Sequence, residues 1–191
     1  MLQQAMDLVV PSLDRLEQYA TALRRGGFWP DNIRREASAR EELDKIAADP
    51  AAFVASLDDR EAKAGPITLS DGSQVKRLPG YRRWMWDAGE FCGQIGFRWQ
   101  PGTSALPAYV LGHIGYAVVP WKRQRGYATR ALALLLPEAR KEGLDSVQLT
   151  TDTDNLPSQK VITNNGGTLV ERFDMSAAHG GGEALLWRIV L

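Results

Sequence analysis

Forty-seven consecutive residues, 91 through 137, contain no Asp or Glu, in a chain whose acidic and basic side chains balance at 23 each. Five bases lie inside that run: Arg98, Lys122, Arg123, Arg125 and Arg130. Four of them fall between Trp121 and Arg130, where a strand-like stretch (111–119) gives way to a helix-like one beginning near Thr129. The first N–H groups of a helix have no intrahelical partner, and the helix dipole adds positive potential there. A basic strand-to-helix link is thus an anion site, with phosphate its usual ligand. Gly126 lets the backbone approach such a group closely, and Ala128 keeps the next position small. The zero net charge is a cancellation, because 18 bases face 23 acids outside the run.

The remaining pattern makes one mixed α/β domain, 1–191, with a helical part at 1–65 and a sheet-bearing core at 81–191. Ser12 is a plausible N-cap for a helix with Leu13, Leu16, Ala20 and Leu23 on one face, stopped by Gly26 and Gly27. A second helix spans 33–48. Asp49-Pro50 caps and starts a third over 51–57. Asp71-Gly72 marks a hairpin turn, and 81–87 and 91–99 read as aromatic-rich strands. Pro137 should kink or shorten the helix it interrupts. A strand at 146–151, a helix at 156–164 stopped by Asn165-Gly166-Gly167, and strands at 168–173 and 185–190 complete the order.

Several classes are excluded. The basic window is too short for a nucleic-acid face, and zero net charge argues against a general polyanion binder. No apolar run approaches the ~20 residues of a membrane span. Cys92 is alone, and Asp152-Thr153-Asp154 lacks the other ligands of a calcium loop, so no metal is expected. The start MLQQAMDLVV has no signal-peptide layout, and a cytoplasmic protein is expected. No Gly-Lys-Ser/Thr follows the loop, and no Gly-x-Gly-x-x-Gly is present, so neither a P-loop nor a dinucleotide fold fits.

Arg123-Gln124-Arg125-Gly126-Tyr127-Ala128 resembles the acyl-CoA loop of the GNAT family of N-acetyltransferases. Gly112-His113-Ile114-Gly115-Tyr116 through Pro120 resembles that family's fourth strand, and Asp154-Asn155-x-x-Ser158 the start of the helix after its fifth. The likeness covers about 81–191 and is greatest to a branch that includes ribosomal-protein alanine acetyltransferases. It implies a mostly antiparallel sheet splayed at the fourth strand and flanked by helices. It also implies acetyl transfer from acetyl-CoA to a primary amine of a small molecule or peptide, by direct attack. A catalytically silent acyl-CoA-binding module is the alternative, and an exposed strand edge would permit a homodimer.

By this resemblance, backbone groups of Ala117, Val118 and Val119 would pair with the pantetheine amides. The N–H groups of Gln124, Arg125, Gly126, Tyr127, Ala128 and Thr129 would hold the pyrophosphate, and Arg123, Arg125 and Lys160 would neutralise its charge. Asn155 would bind the pantetheine arm, or serve as an N-cap, or both, with Ser158 beside it. The base candidates are His113, Glu90 and Asp152. The branch commonly has Glu where His113 stands, so His113 is either a substituted base or a packed histidine. Ile162 occupies the position of the family's frequent acid Tyr. Trp84, Trp86, Phe97, Trp99 and Trp121 read mainly as core. The loop His179-Gly180-Gly181-Gly182 would border the acceptor, and the acids Glu36, Glu41, Glu42, Asp44, Asp58 and Asp59 would attract a cationic amine or form a solvated face.

Overall fold

The computed structural model describes residues 6–69 and 71–191; the opening pentapeptide of the MLQQAMDLVV start lies outside them. The first described residues form a short strand, β1 (Asp7–Val9), where the sequence showed only an apolar start. Helix α1 (Leu13–Arg25) follows. Ser12 occupies its N-cap in an extended conformation, but its hydroxyl makes no cap bond and instead accepts from Arg15. The helix stops where Gly26 and Gly27 take φ of 78° and 73°. Helix α2 (Arg35–Ala48) leads into α3 (Pro50–Ser56), whose cap is the expected one: the Asp49 carboxylate accepts from the Ala52 N–H at 2.9 Å.

Short strands β2 (Asp58–Asp59), β3 (Ile67–Thr68) and β4 (Gln74–Val75) come next, the last two paired across the Asp71-Gly72 turn. The long antiparallel hairpin β5 (Gly80–Asp87) and β6 (Glu90–Arg98) is the centre of the sheet. Strand β7 (Ile114–Val118) pairs with β6, and a 3-10 turn at Pro120–Lys122 carries the chain to α4 (Tyr127–Lys141). That helix starts two residues earlier than its pattern suggests and runs unbroken through Pro137. Pro137 withdraws one donor from the Ala133 carbonyl, but both residues are exposed, so the helix continues without burying an unpaired carbonyl. Strand β8 (Ser146–Asp152), helix α5 (Leu156–Thr163), and strands β9 (Thr168–Asp174) and β10 (Glu183–Val190) follow.

Two sheets result, ordered β1-β5-β6-β7 and β8-β10-β9, with β2 added to β5. Strands β7 and β8 share no ladder, which is the expected splay. Alternation along the strands builds one core on each face of the larger sheet. Met85, Ile95, Phe97, Ile114 and Trp99 pack with α4, Ile162 of α5 and the β8–β10 strands. Trp84, Phe91 and Val119 pack with Tyr19, Phe28 and Phe53 of the helical part. Trp84, Phe97 and Trp99 are core as expected, while Trp86 and Trp121 are only half-buried. Trp84 stacks on Tyr19 with ring centroids 5.0 Å apart.

Candidate functional site

The β7–α4 link folds into a concave run of amides. Gln124 and Gly126 both take left-handed backbone conformations, with φ of 61° and 78°. Alternating right- and left-handed residues turn successive N–H groups toward a common centre. Among the described residues, none accepts from the N–H groups of Gln124, Arg125, Gly126, Tyr127, Ala128 or Thr129. The first intrahelical bond runs from Arg130 N–H to the Gly126 carbonyl. These six free donors at the N-terminus of a fifteen-residue helix fit a pyrophosphate.

Side chains hold the cradle in place. Arg123, expected at the phosphate, donates instead to the carbonyls of Gly27 (3.0 Å) and Val118 (3.2 Å), and so ties the loop to the end of α1. Tyr127 is buried and donates to Asp87 at 2.6 Å, which fixes the helix start to the β5–β6 turn. Asn165 donates to the Thr129 and Val161 carbonyls and docks α5 beside α4. Arg125 and Lys160 are exposed and make no ion pair among the described residues.

The edge of β7 is narrower than expected. In its antiparallel ladder with β6, the backbone groups of alternate residues face the partner strand. The Val119 N–H donates to the Cys92 carbonyl, the Val119 carbonyl accepts from Lys122, and the Val118 carbonyl accepts from Arg123. The Arg98 N–H bonds the His113 carbonyl, which by alternation turns residue 117 toward β6 as well. Tyr116 and the Val118 N–H are left facing the gap. Across that gap, Asn155 caps α5 by accepting from the Ser158 N–H at 3.2 Å, which leaves its amide NH₂ free. The Tyr116 hydroxyl spans the gap to the Ser158 hydroxyl, 2.7 Å away, and burial pushes its pKa up to about 12. Sequence reading missed this pair, which lies 42 residues apart with no local signal.

The three base candidates do not converge. Glu90 is exposed and ion-paired with Lys122, whose hydrogen bond holds its carboxyl below the usual range. Asp152 is exposed at the end of β8. His113 is fully buried where β7 and β8 part. Its N–H donates to the Gln148 carbonyl at 2.8 Å, and its Nδ1 accepts from the Gln148 N–H at 2.9 Å, so the ring acts as a surrogate strand residue. Burial, aided by the charge of Arg98, lowers its pKa to about 4. A histidine buried neutral favours the fold above its unfolded pKa of ~6.5, and this contribution declines as pH falls toward 4. Denaturant titrations should therefore show wild-type stability falling between pH 6.5 and 4 by up to about 3 kcal/mol more than in His113→Asn. Parallel pH curves for the two proteins would contradict this.

Three of the six acids named in the helical part are ion-paired, while Glu36 and Asp44 are exposed with no ion pair among the described residues. Glu41 pairs with Arg34 and Lys45, and Asp58 with Arg60 and Arg83. Asp59 accepts from the Lys63 and Ala64 N–H groups. Glu42 is buried against Arg82 and Tyr19. His179 bonds Ser176 and the Tyr109 carbonyl, and so secures its glycine loop to the β6–β7 connection.

A sheet opened beside one strand, followed by an amide cradle at the next helix, defines a protein that holds an extended, pyrophosphate-bearing acyl carrier. The chain belongs to the GNAT acetyltransferase family: the sequence profile of the acetyltransferase (GNAT) domain matches residues 24–168. Acetyl-CoA is accordingly its co-substrate. No curated protein matches the sequence significantly. Among solved structures, an acetyltransferase from Salmonella typhimurium that modifies the N-terminal serine of a 50S ribosomal subunit protein has a TM-score of 0.63 at 12% identity, covering 100% of this chain and 96% of that one. The microcin self-immunity acetyltransferase MccE, in complex with acetyl-CoA and AMP, has a TM-score of 0.61 at 13% identity, covering 100% and 94%. A GNAT-family acetyltransferase from Bacillus anthracis has 0.61 at 14%, covering 98% and 96%. At these identities the three likenesses establish the fold alone.

Proposed function

We propose that this protein transfers the acetyl group of acetyl-CoA to a primary amine by direct attack within a ternary complex. The observation that carries the reading is the run of six free amides at 124–129 beside the unpaired edge of β7. Acetyl-CoA supplies an activated thioester. The chain's own groups bind and orient it: the cradle for the pyrophosphate, Arg125 and Lys160 for its charge, and the Val118 N–H and Asn155 amide for the pantetheine arm.

Proton movements follow from the same geometry. His113 is sealed from solvent with its Nδ1 occupied, and Glu90 is held by Lys122, so neither is placed to deprotonate an incoming amine. The amine loses its proton to water, and the rate is set by the fraction of neutral amine. The Tyr116–Ser158 hydroxyl pair flanks the pantetheine side, and Tyr116 stays protonated through neutral pH, so the pair hydrogen-bonds the leaving thiolate, which takes up the second proton that the nitrogen sheds as the amide forms and the C–S bond breaks.

Calorimetry with acetyl-CoA and thiol release across an amine panel test this reading. The expected result is binding, amine-dependent thiol release, and a rate that rises with pH with no inflection at the histidine range. Tyr116→Phe should lower kcat about tenfold with KM for acetyl-CoA little changed. Absence of acetyl-CoA binding would falsify the reading.

A further inference from the structure

On the face of the larger sheet toward the helical part, three rows of side chains meet near the splay. The first is Trp84, Gln94 and Ala117; the second Arg82, Gly96 and Gly115; the third Gly80, Arg98 and, by the Arg98 N–H bond, His113. The middle row is a trough, since two of its three members have no side chain. Gly115 is exposed, and a Cβ built there would meet nothing within 4 Å. The trough lies two residues along β7 from Ala117 and so adjoins the segment that receives the acetyl group.

Its electrostatics are lopsided. Arg82 is neutralised by Glu42 at 2.7 Å, and Glu42 is further bonded by Tyr19. Arg98 is exposed and has no ion pair or side-chain hydrogen bond among the described residues. The nearby Asp31 is committed elsewhere: it accepts from the Ile33 and Arg34 N–H groups and pairs with the Arg34 guanidinium. Beside Arg98, the Nε2 of His113 is buried without a partner among the described residues, and because Nδ1 is an acceptor, Nε2 carries the proton. At the opposite end, the Gln94 side-chain oxygen is a buried acceptor without a donor among the described residues. Unpaired buried dipoles are costly and set a strong local field. The trough therefore runs from an electron-rich end near the transfer point to a cationic end four residues, about 13 Å, away along β6.

We infer that the acceptor is a small amine bearing a carboxylate, with its amine toward Gln94 and Ala117 and its carboxylate on Arg98. This rests on the acetyl-transfer reading of the same cleft. A planar guanidinium is the natural partner of a carboxylate, and an unpartnered one at the far end of an amine site selects zwitterionic acceptors over purely cationic ones.

The test is thiol release from acetyl-CoA with ω-amino acids and dipeptides, which can span the trough, and their C-terminal amides, on wild type, Arg98→Gln and Gly115→Leu, with melting curves as folding controls. Wild type should favour the free acid over its amide by about tenfold or more in kcat/KM, and Arg98→Gln should lose that preference. Gly115→Leu should fill the trough and raise KM for the amine while leaving acetyl-CoA affinity intact. Amides used as well as acids would overturn the inference while leaving acetyl transfer standing. If no acceptor turns over, calorimetry of the N-acetylated acids and their amides on CoA-loaded protein decides. Carboxylate-selective binding lost in Arg98→Gln upholds the inference against the transfer reading, and absence of such binding sinks it.

Discussion

Arg125→Glu should weaken acetyl-CoA binding by between about tenfold and a hundredfold, as read by calorimetry at low salt. The cradle amides supply partial charges, but Arg125 is a full charge on that loop, exposed and with neither an ion pair nor a side-chain hydrogen bond among the described residues. Reversing it removes one attraction to the pyrophosphate and adds one repulsion. The new acid would also lie near Glu90, whose carboxyl already feels the charge of Arg125. Because the site is open, added salt screens both terms, and the gap between variant and wild type should shrink as ionic strength rises toward ~1 M. The neighbouring arginine should behave differently. Arg123 is spent on the Gly27 and Val118 carbonyls, so Arg123→Gln should lower stability more than it changes the salt dependence of binding. An unchanged Kd in Arg125→Glu would mean that the phosphates lie elsewhere.

What the amino-acid order made legible was local. Asp49 before Pro50, Asp71-Gly72, and Gly166 after α5 each act within a few residues, and each does what its chemistry suggests. The amide cradle was legible for the same reason, since a glycine in a basic strand-to-helix link is a local pattern. The features that escaped depend on distant partners. Strand β1 is three residues long and exists because Leu8 lies opposite Met85. The choice between base and packed residue at His113 depends on Gln148, and the role of Arg123 on Gly27. The trough needs the register that sets Gly96 against Gly115, which periodicity alone does not provide. The acids of the helical part fitted either a field for cationic acceptors or a solvated face; folding pairs Glu41, Glu42 and Asp58 with bases and leaves Arg98 without an ion pair among the described residues.

Two glycines in adjacent strands should respond very unequally to the same change. At Gly93 a Cβ would lie 2.9 Å from the Val118 Cα and 3.2 Å from the Ala117 carbonyl carbon, and closer still to the Ala117 oxygen. All three atoms are backbone, so no side-chain rotation relieves the clash. The β5–β6 register also shifts between Met85 and Trp86, opposite this point, so β6 has little freedom to slide. Gly93→Ala should therefore push β7 outward at Ala117–Val118 and destabilise the fold by about 2–4 kcal/mol, a loss of roughly 5–15 °C in Tm. The displaced segment is the one that presents the Val118 N–H to the gap, so acetyl-CoA affinity should fall in the protein that remains folded. Gly115→Ala has open space around the added methyl and should cost less than about 1 kcal/mol, with acetyl-CoA affinity unchanged and any deficit confined to the amine. Thermal melts and calorimetry on the two variants read both quantities. Equal melting temperatures for the pair would show that β6 and β7 are not held as closely as the fold requires, and the gap would then need another origin than the strict spacing at Gly93.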